Sequence, residues 1–506
     1  MFQADQEAFD QLCRLTRETA LLTSTLSLLG WDERTGLPEA ATEYRAEQMT
    51  LLAGMIHRRK TDPQVTRLLD ELSESPLASD KHSDAGTIIQ KLKWQHDRQL
   101  KLPTSLVEEL THIAVRGQHF WQRARAQRDY TIFQPVLEEI ICLKQQEADA
   151  LGFSACRYDA LLEEYEPGET TANVRRVLEG LREELVPLIQ KIVGCDKTPQ
   201  ADLLTQKYPV GDQRQLGRQV AENIGFDFSR GRLDTTVHPF CSGIAPQDIR
   251  ITTRYDECFF PTAFFGILHE AGHGIYEQGL RTKWYGLPPG ETTSLGIHES
   301  QSRLWENQVG RSLPFWEYHF PLLQSYFPGA LSGVSLNDFY MAINSVGPSL
   351  IRVEADEATY NLHILIRFEL EQAMLDGDLG VGDLPQAWNN KYQDYLGICP
   401  QNAAEGVLQD IHWSGGAIGY FPTYALGNIY SAQFFAKANQ DLNGLSGQFS
   451  EGQFEPLRTW LQKNIHQAGQ CYSAGELVFH VTGEILSHRF LIDHLRNKLE
   501  TLYGLS

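Results

Sequence analysis

Phe264-Phe265-Gly266-Ile267-Leu268-His269-Glu270-Ala271-Gly272-His273 is the stretch on which the reading turns. An apolar run leads straight into two histidines four positions apart, and no proline interrupts it. At about 3.6 residues per turn, His269 and His273 share one face of a helix, about one turn apart. Two imidazoles so placed can grip one metal ion, and Glu270 can reach a water on that ion. Neutral imidazoles plus a nearby carboxylate base are what zinc-assisted amide hydrolysis requires. The apolar flanks predict a buried helix, and buried histidines need partners. Glycine inside a helix costs about 1 kcal/mol relative to alanine. Gly272 and Gly274 therefore point to close approach of another segment, or of substrate, around the second histidine.

A catalytic zinc commonly takes three protein ligands and keeps one position open. The third donor must come from another element. Glu299, in Gly296-Ile297-His298-Glu299-Ser300-Gln301-Ser302-Arg303, is the first candidate. It lies on a predicted helix over about 291–310, after the Gly- and Pro-rich loop Gly286-Leu287-Pro288-Pro289-Gly290. Two helices joined by such a loop can pack antiparallel and bring Glu299 to the histidines. His298 competes for the role, but adjacent helical residues point about 100° apart, so both cannot serve one ion.

The 506-residue chain is 42% hydrophobic and 22% charged, which is ordinary globular composition. Its formal net charge of −21 opposes nonspecific nucleic-acid binding, which needs a basic face. Eight cysteines are scattered without Cys-x-x-Cys spacing, which fits small core residues in a reducing compartment. The acidic start, Met1-Phe2-Gln3-Ala4-Asp5-Gln6-Glu7, lacks a signal pattern, and no apolar run is long enough to span a membrane. A cytoplasmic protein is expected, with no membrane and no nucleic-acid partner. With no low-complexity linker and no repeat, the chain reads as one body over 1–506. A helical subdomain is expected over 1–228 and a catalytic one over 229–506.

Helical periodicity dominates. Residues 5–29 carry Phe9, Leu12, Leu15, Leu21, Leu22, Leu26 and Leu29 as an expected buried stripe. Similar patterns recur near 40–58, 84–99, 104–127, 132–150, 173–193 and 213–224. They return near 356–376, 384–396, 418–438, 453–466, 473–484 and 487–503. Between these blocks, Arg232–Val237 and Ile249–Tyr255 are rich in β-branched residues and predict a small antiparallel sheet just before the metal helix. Ser349–Glu354 is a further candidate strand. An edge strand beside such a helix could hold a peptide backbone by strand addition.

At this point the chain resembles the carboxypeptidase Taq family of thermostable metallocarboxypeptidases. Five signatures carry the likeness: Asp248-Ile249-Arg250-Ile251-Thr252, the His-Glu-x-x-His helix, His298-Glu299-Ser300-Gln301, Ile351-Arg352-Val353-Glu354-Ala355-Asp356, and Gly406-Val407-Leu408-Gln409-Asp410-Ile411-His412-Trp413. His238-Pro239-Phe240 and Gly419-Tyr420-Phe421-Pro422-Thr423-Tyr424 fit as well. The resemblance implies a mainly α-helical body with a deep groove, like neurolysin and angiotensin-converting enzyme. It implies one divalent metal per chain, zinc first and cobalt as the alternative, held by His269, His273 and Glu299, with Glu270 as general base. It also implies a homodimer that removes single residues from peptide C-termini with broad specificity.

Further roles follow from that implied chemistry. The tetrahedral oxyanion needs a donor, and the resemblance points to Tyr424, with Tyr420 one helical turn away. A free C-terminal carboxylate is best met by arginine. Arg352 is the first candidate, paired otherwise with an acid such as Asp356 or Glu354. Arg250 is the second, with a salt bridge to Asp248 as its competing role. Gln409, Asp410 and His412 read either as polar groups near substrate or a metal-bound histidine, or as a hydrogen-bonded junction. His238 is a substrate-contact candidate. Two rival functions remain: an endo-oligopeptidase on the same scaffold, and a noncatalytic metal- or peptide-binding protein. Retention of Glu270 opposes the second, because binding alone needs no base.

Overall fold

Helices form where the apolar periodicity places them, and the computed structural model describes residues 2–505. Chain contacts divide it into two units, each discontinuous in sequence. One gathers Met1–Asp97, Gln200–Ile343 and Phe434–Gly483; the other gathers Arg98–Pro199, Asn344–Gln433 and Glu484–Ser506. A boundary near residue 228 divides the chain differently, because sequence reading has only contiguity to work with, whereas packing joins distant segments.

The first unit holds the predicted metal helix, Phe260–Gly279, with Pro261 in its first turn, where a missing N–H is harmless. Most of its residues are buried, including Phe264, Phe265, Ile267, Leu268 and Ile275. The helix Val210–Ile224 packs on one flank, with Gly217 against Ile267. Phe264, Phe315, Trp316 and Phe339 form an aromatic cluster on another.

The small sheet lies against the same helix. Strands β1 (Gly231–Thr235), β2 (Cys241–Ala245) and β3 (Asp248–Thr253) are ordered β1-β3-β2. The expected all-antiparallel sheet is corrected here: β1 pairs β3 in parallel, and only β2 pairs antiparallel. β-branched runs reveal strands but not which neighbour each will pair with. The Cys241–Ala245 strand was not predicted at all. On β3, Ile251 packs close to Gly274 of the metal helix.

The second corrected strand is Ser349–Glu354. Arg352–Glu354 is a turn of 3-10 helix. The Gln409 side-chain amide takes the Arg352 N–H and donates to the Leu350 carbonyl, at 2.9 and 3.0 Å. A side chain thus satisfies backbone groups that a strand neighbour would otherwise have to meet.

The first helix, Phe2–Thr35, follows expectation over half its length. Phe9 and Leu12 are buried in a cluster with Leu68, Leu69, Leu72, Ile88 and Ile89. Leu21, expected in the same stripe, is 58% exposed. At 1.5 Å per residue this helix is about 50 Å long. Its second half meets the helix Thr42–Lys60, which buries only Ile56. All eight cysteines are unbridged. No helix among the described residues is long and apolar enough to cross a membrane.

In the second unit, the C-terminal helix Arg489–Tyr503 is fastened by Glu357. One oxygen of this carboxylate meets His494 Nε2 at 2.8 Å and the other meets Lys498 Nζ at 2.6 Å. Burial alone would raise the Glu357 pKa, but Lys498 and His494 hold it well below the ordinary value of 4.5. Its stabilising contribution is therefore complete above about pH 4.5 and fades as pH falls toward the depressed value. Removing one partner of a buried ion pair leaves the other uncompensated, so Glu357→Ala should cost about 3 kcal/mol in urea unfolding at pH 7. The loss should shrink in acid. A constant loss between pH 7 and pH 3 would contradict the ion-pair account.

Candidate metal centre

Three elements of the first unit build this centre. The metal helix presents His269 and His273 with their rings 4.9 Å apart and nearly perpendicular. The helix Leu295–Arg303 supplies Glu299, and its N-terminus is capped by the Ser294 hydroxyl accepting from the Ile297 N–H. It continues as a π-helical stretch, Leu304–Val309, which carries Glu306. π-Helical turns are rare and often found at functional sites.

Both imidazole Nε2 atoms converge on one carboxylate oxygen. Glu299 Oε2 lies 3.6 Å from His269 Nε2 and 3.4 Å from His273 Nε2. Tetrahedral zinc with bonds of about 2.0–2.2 Å separates its donors by about 3.4 Å. The spacing therefore fits a small divalent ion shared by the three groups. This is the one metal-competent cluster of His, Cys, Asp and Glu among the described residues. His298 lies outside it: its Nε2 meets Glu277 Oε1 at 2.9 Å.

Surrounding groups orient the donors. Glu306 Oε2 is 2.9 Å from His269 Nδ1. A proton on Nδ1 donates to that carboxylate and leaves Nε2 bare for a metal. Glu299 Oε1 accepts from Arg303 Nε at 2.7 Å, and Ser302 Oγ donates to Oε2 at 3.0 Å. Arg303 Nη1 also reaches Glu306, and Arg311 lies 3.8 Å from its other oxygen. Arg303 is thus committed to the centre's own acids. Three carboxylates, buried Glu270 and Glu299 and half-buried Glu306, outnumber two guanidiniums, an excess that suits a cation.

Protonation follows the same geometry. Burial pushes His273 down to about 3, helped by neighbouring His298, so its imidazole is neutral as ligation requires. Burial would also lower His269, but Glu299 and Glu306 hold it above its usual value. Glu306 is drawn down to about 2 because Arg303 and His269 outweigh its burial. Burial lifts Glu270 to about 7, which gives it the proton affinity of a base matched to neutral pH. A dication beside it lowers that value.

The sequence reading missed Glu306 and Glu277. Spacing offered a signal for both. Glu277 follows His273 by four residues on the same helical face, and Glu306 follows Glu299 by seven.

Other candidates take definite places. On β3, Arg250 forms a two-point pair with Asp248, 2.8 Å at each contact, and stacks over Trp31 at 4.3 Å. Its competing structural role is therefore the one observed. His238 is exposed in the bend between β1 and β2.

In the second unit, Arg352 is buried and its acid is Asp410, rather than Asp356 or Glu354. Arg352 Nε and Nη2 reach Asp410 Oδ1 at 3.0 and 2.7 Å, and Nη1 donates to Tyr360 at 3.0 Å. Arg367 takes the other oxygen of Asp410. Asp356 instead accepts from the Ala358 and Thr359 N–H groups. Gln409 has both ends of its amide on protein groups. His412 Nε2 is 3.3 Å from the Tyr424 hydroxyl, its ring stacks on Tyr420, and Trp413 donates to Glu371. The hydrogen-bonded junction is thus what Gln409, Asp410 and His412 form.

A mainly helical fold in which two histidines and a glutamate form a metal-competent cluster, with Glu270 buried on the same helix, defines a metallopeptidase-type centre. The comparisons name the family. Residues 11–499 match the family model described as carboxypeptidase Taq (M32) metallopeptidase, and the chain belongs to that family. It is similar to thermostable carboxypeptidase 1 of Thermus thermophilus, 44% identical over 99% of both chains. It is also similar to carboxypeptidase 1 of Bacillus subtilis, 38% identical over 99% of this chain and 98% of that one. The crystal structure of an M32 carboxypeptidase from Deinococcus radiodurans R1 superposes with a TM-score of 0.95 at 38% identity, covering 99% of this chain and 100% of the other. The protein is a metallocarboxypeptidase, a peptide hydrolase dependent on a divalent metal.

Proposed function

We propose that this enzyme removes single residues from the free C-termini of peptides with broad specificity, using an ion held by His269, His273 and Glu299. The convergence of two Nε2 atoms on Glu299 Oε2, at 3.6 and 3.4 Å, carries this reading. When bound, the ion supplies Lewis acidity toward water and a carbonyl oxygen. Glu270 then accepts the proton of the attacking water and returns it to the leaving amine. Glu306 keeps the His269 tautomer, and Arg303 keeps the Glu299 carboxylate turned with one oxygen toward the histidines.

Tyr424 serves as the hydroxyl donor to the oxyanion, with His412 holding its hydroxyl. Arg352 serves as the carboxylate clamp. One carboxylate, Asp410, lies between two guanidiniums, Arg352 and Arg367, so a surplus positive charge remains in a buried position. A peptide's terminal carboxylate is its electrostatic complement. Replacing Arg352 with Ala should raise KM for free-acid peptides roughly 10- to 100-fold. Wild-type enzyme that cuts amidated and free-acid peptides equally well would remove the clamp from the account.

The same reading takes zinc as the resident ion, with cobalt the alternative, and a cytoplasmic homodimer as the working form. Unbridged cysteines suit a reducing compartment. Metal analysis of the purified protein beside timed mass spectrometry of a peptide digest tests the whole. Stepwise loss from C-termini is expected, and internal cuts would favour an endo-oligopeptidase.

A further inference from the structure

The two metal-binding histidines are supported unequally. His269 has the usual arrangement, its Nδ1 held by Glu306 at 2.9 Å. His273 does not: its Nδ1 is buried and has no hydrogen-bond partner among the described residues. A ligating histidine normally donates its second N–H to a carboxylate or carbonyl, which fixes the ring's rotation. Some other force must hold the His273 ring.

The ring of His298 lies against it. The two imidazoles stack with centroids 4.3 Å apart and planes 20° from parallel. His298 is in turn fixed from behind, with its Nε2 2.9 Å from Glu277 Oε1. Glu277 stands one turn after His273 on the metal helix, so the clamp closes within two elements. Tyr276 contributes a tilted ring at 5.5 Å on the same side. His298 also immediately precedes Glu299, so the helix turn that delivers one ligand also delivers the brace for another.

We propose that His298 is a positioning residue: its ring, anchored by Glu277, holds the plane of His273 by stacking, in place of the hydrogen bond that His273 lacks. This rests on the reading of His269, His273 and Glu299 as the metal ligands. It differs from a ligand role for His298 because it depends on a flat ring and not on a ring nitrogen facing the ion.

Zn2+ affinity is measured by competition with a chromogenic chelator, on wild type and on His298→Ala, His298→Phe, Glu277→Ala and Glu277→Gln. His298→Ala should weaken Zn2+ binding 10- to 100-fold, the range for loss of groups that orient metal ligands. His298→Phe keeps the stacking ring but not the Glu277 anchor, so its loss should be partial, like that of Glu277→Ala and smaller than that of His298→Ala. Glu277→Ala should lose part of the affinity and Glu277→Gln should restore it. Visible absorption of the Co2+-loaded protein gives a readout independent of turnover, expected to shift in His298→Ala and to shift less in His298→Phe.

Affinity in His298→Ala equal to wild type would overturn the proposal. So would a Phe variant that folds, by circular dichroism, yet binds as poorly as the Ala variant, because the stacking face would then contribute nothing. Should a Phe variant fail to fold, the Glu277 pair decides, and unchanged affinity in Glu277→Ala overturns the brace. Wild type that takes up no Zn2+ or Co2+ at all removes the ligand assignment itself, an outcome distinct from failure of the stack.

Discussion

Replacing Glu270 with Gln should lower kcat by about 10²- to 10⁴-fold while leaving the bound metal in place. The side chain is buried on the metal helix, and burial lifts it to about 7. Glutamine keeps the shape and removes the basic oxygen. Glu270 makes no part of the three-donor cluster, so metal content by mass spectrometry should match wild type. The variant should also be no less stable to heat, since a charge kept in a poorly solvated place is exchanged for a neutral amide. Near-normal turnover in Glu270→Gln would take the general base away from this residue. Loss of the metal would instead make it a ligand.

Gly272→Ala should damage the centre from a distance. A Cβ built at Gly272 would lie 2.6 Å from the Gln301 carbonyl oxygen and 2.7 Å from Ser302 Cα. Both are backbone atoms of the helix that carries Glu299, so no rotamer change relieves the clash. Alanine gains about 1 kcal/mol of helix propensity. Overpacking a rigid contact costs about 1–3 kcal/mol, and the clash wins. The helix Leu295–Arg303 must shift, and Glu299 Oε2 moves with it. The expected result is a lower melting temperature for the metal-free protein together with a 10- to 100-fold loss of Zn2+ affinity.

Gly266→Ala is the matched control. Its Cβ would meet only Thr253 Oγ1, at 3.7 Å, an ordinary contact. That variant should be neutral or up to about 1 kcal/mol more stable. Equal behaviour of the two variants would show that the close helix crossing at Gly272 does not position Glu299.

Much of this was readable in the residues. The metal helix announced itself because its two histidines lie about one turn apart and the run before them is continuously apolar. Glu299 was reachable because a Gly- and Pro-rich loop joins its helix to the first. The sense of the two glycines, close approach of another segment, was legible for both, though not that Gln301 and Ser302 approach Gly272 and Phe226 and Ile251 approach Gly274. Glu299 stood ahead of His298 in the sequence, but where His298 would turn was not legible there: its Nε2 faces Glu277.

Local pattern by itself determined the helices and the His-Glu-x-x-His face, because each depends on spacing along the chain. Tertiary structure alone decided that β1 runs parallel to β3, that Ser349–Glu354 is no strand, and that Asp410, 58 residues on, is the acid for Arg352. It also placed the Glu306 carboxylate on His269 Nδ1 and the His298 ring against that of His273. Pairing partners and buried charges are settled by which distant groups arrive to satisfy them, and hydrogen bonds and ion pairs act over a few ångströms of space whatever the separation in sequence.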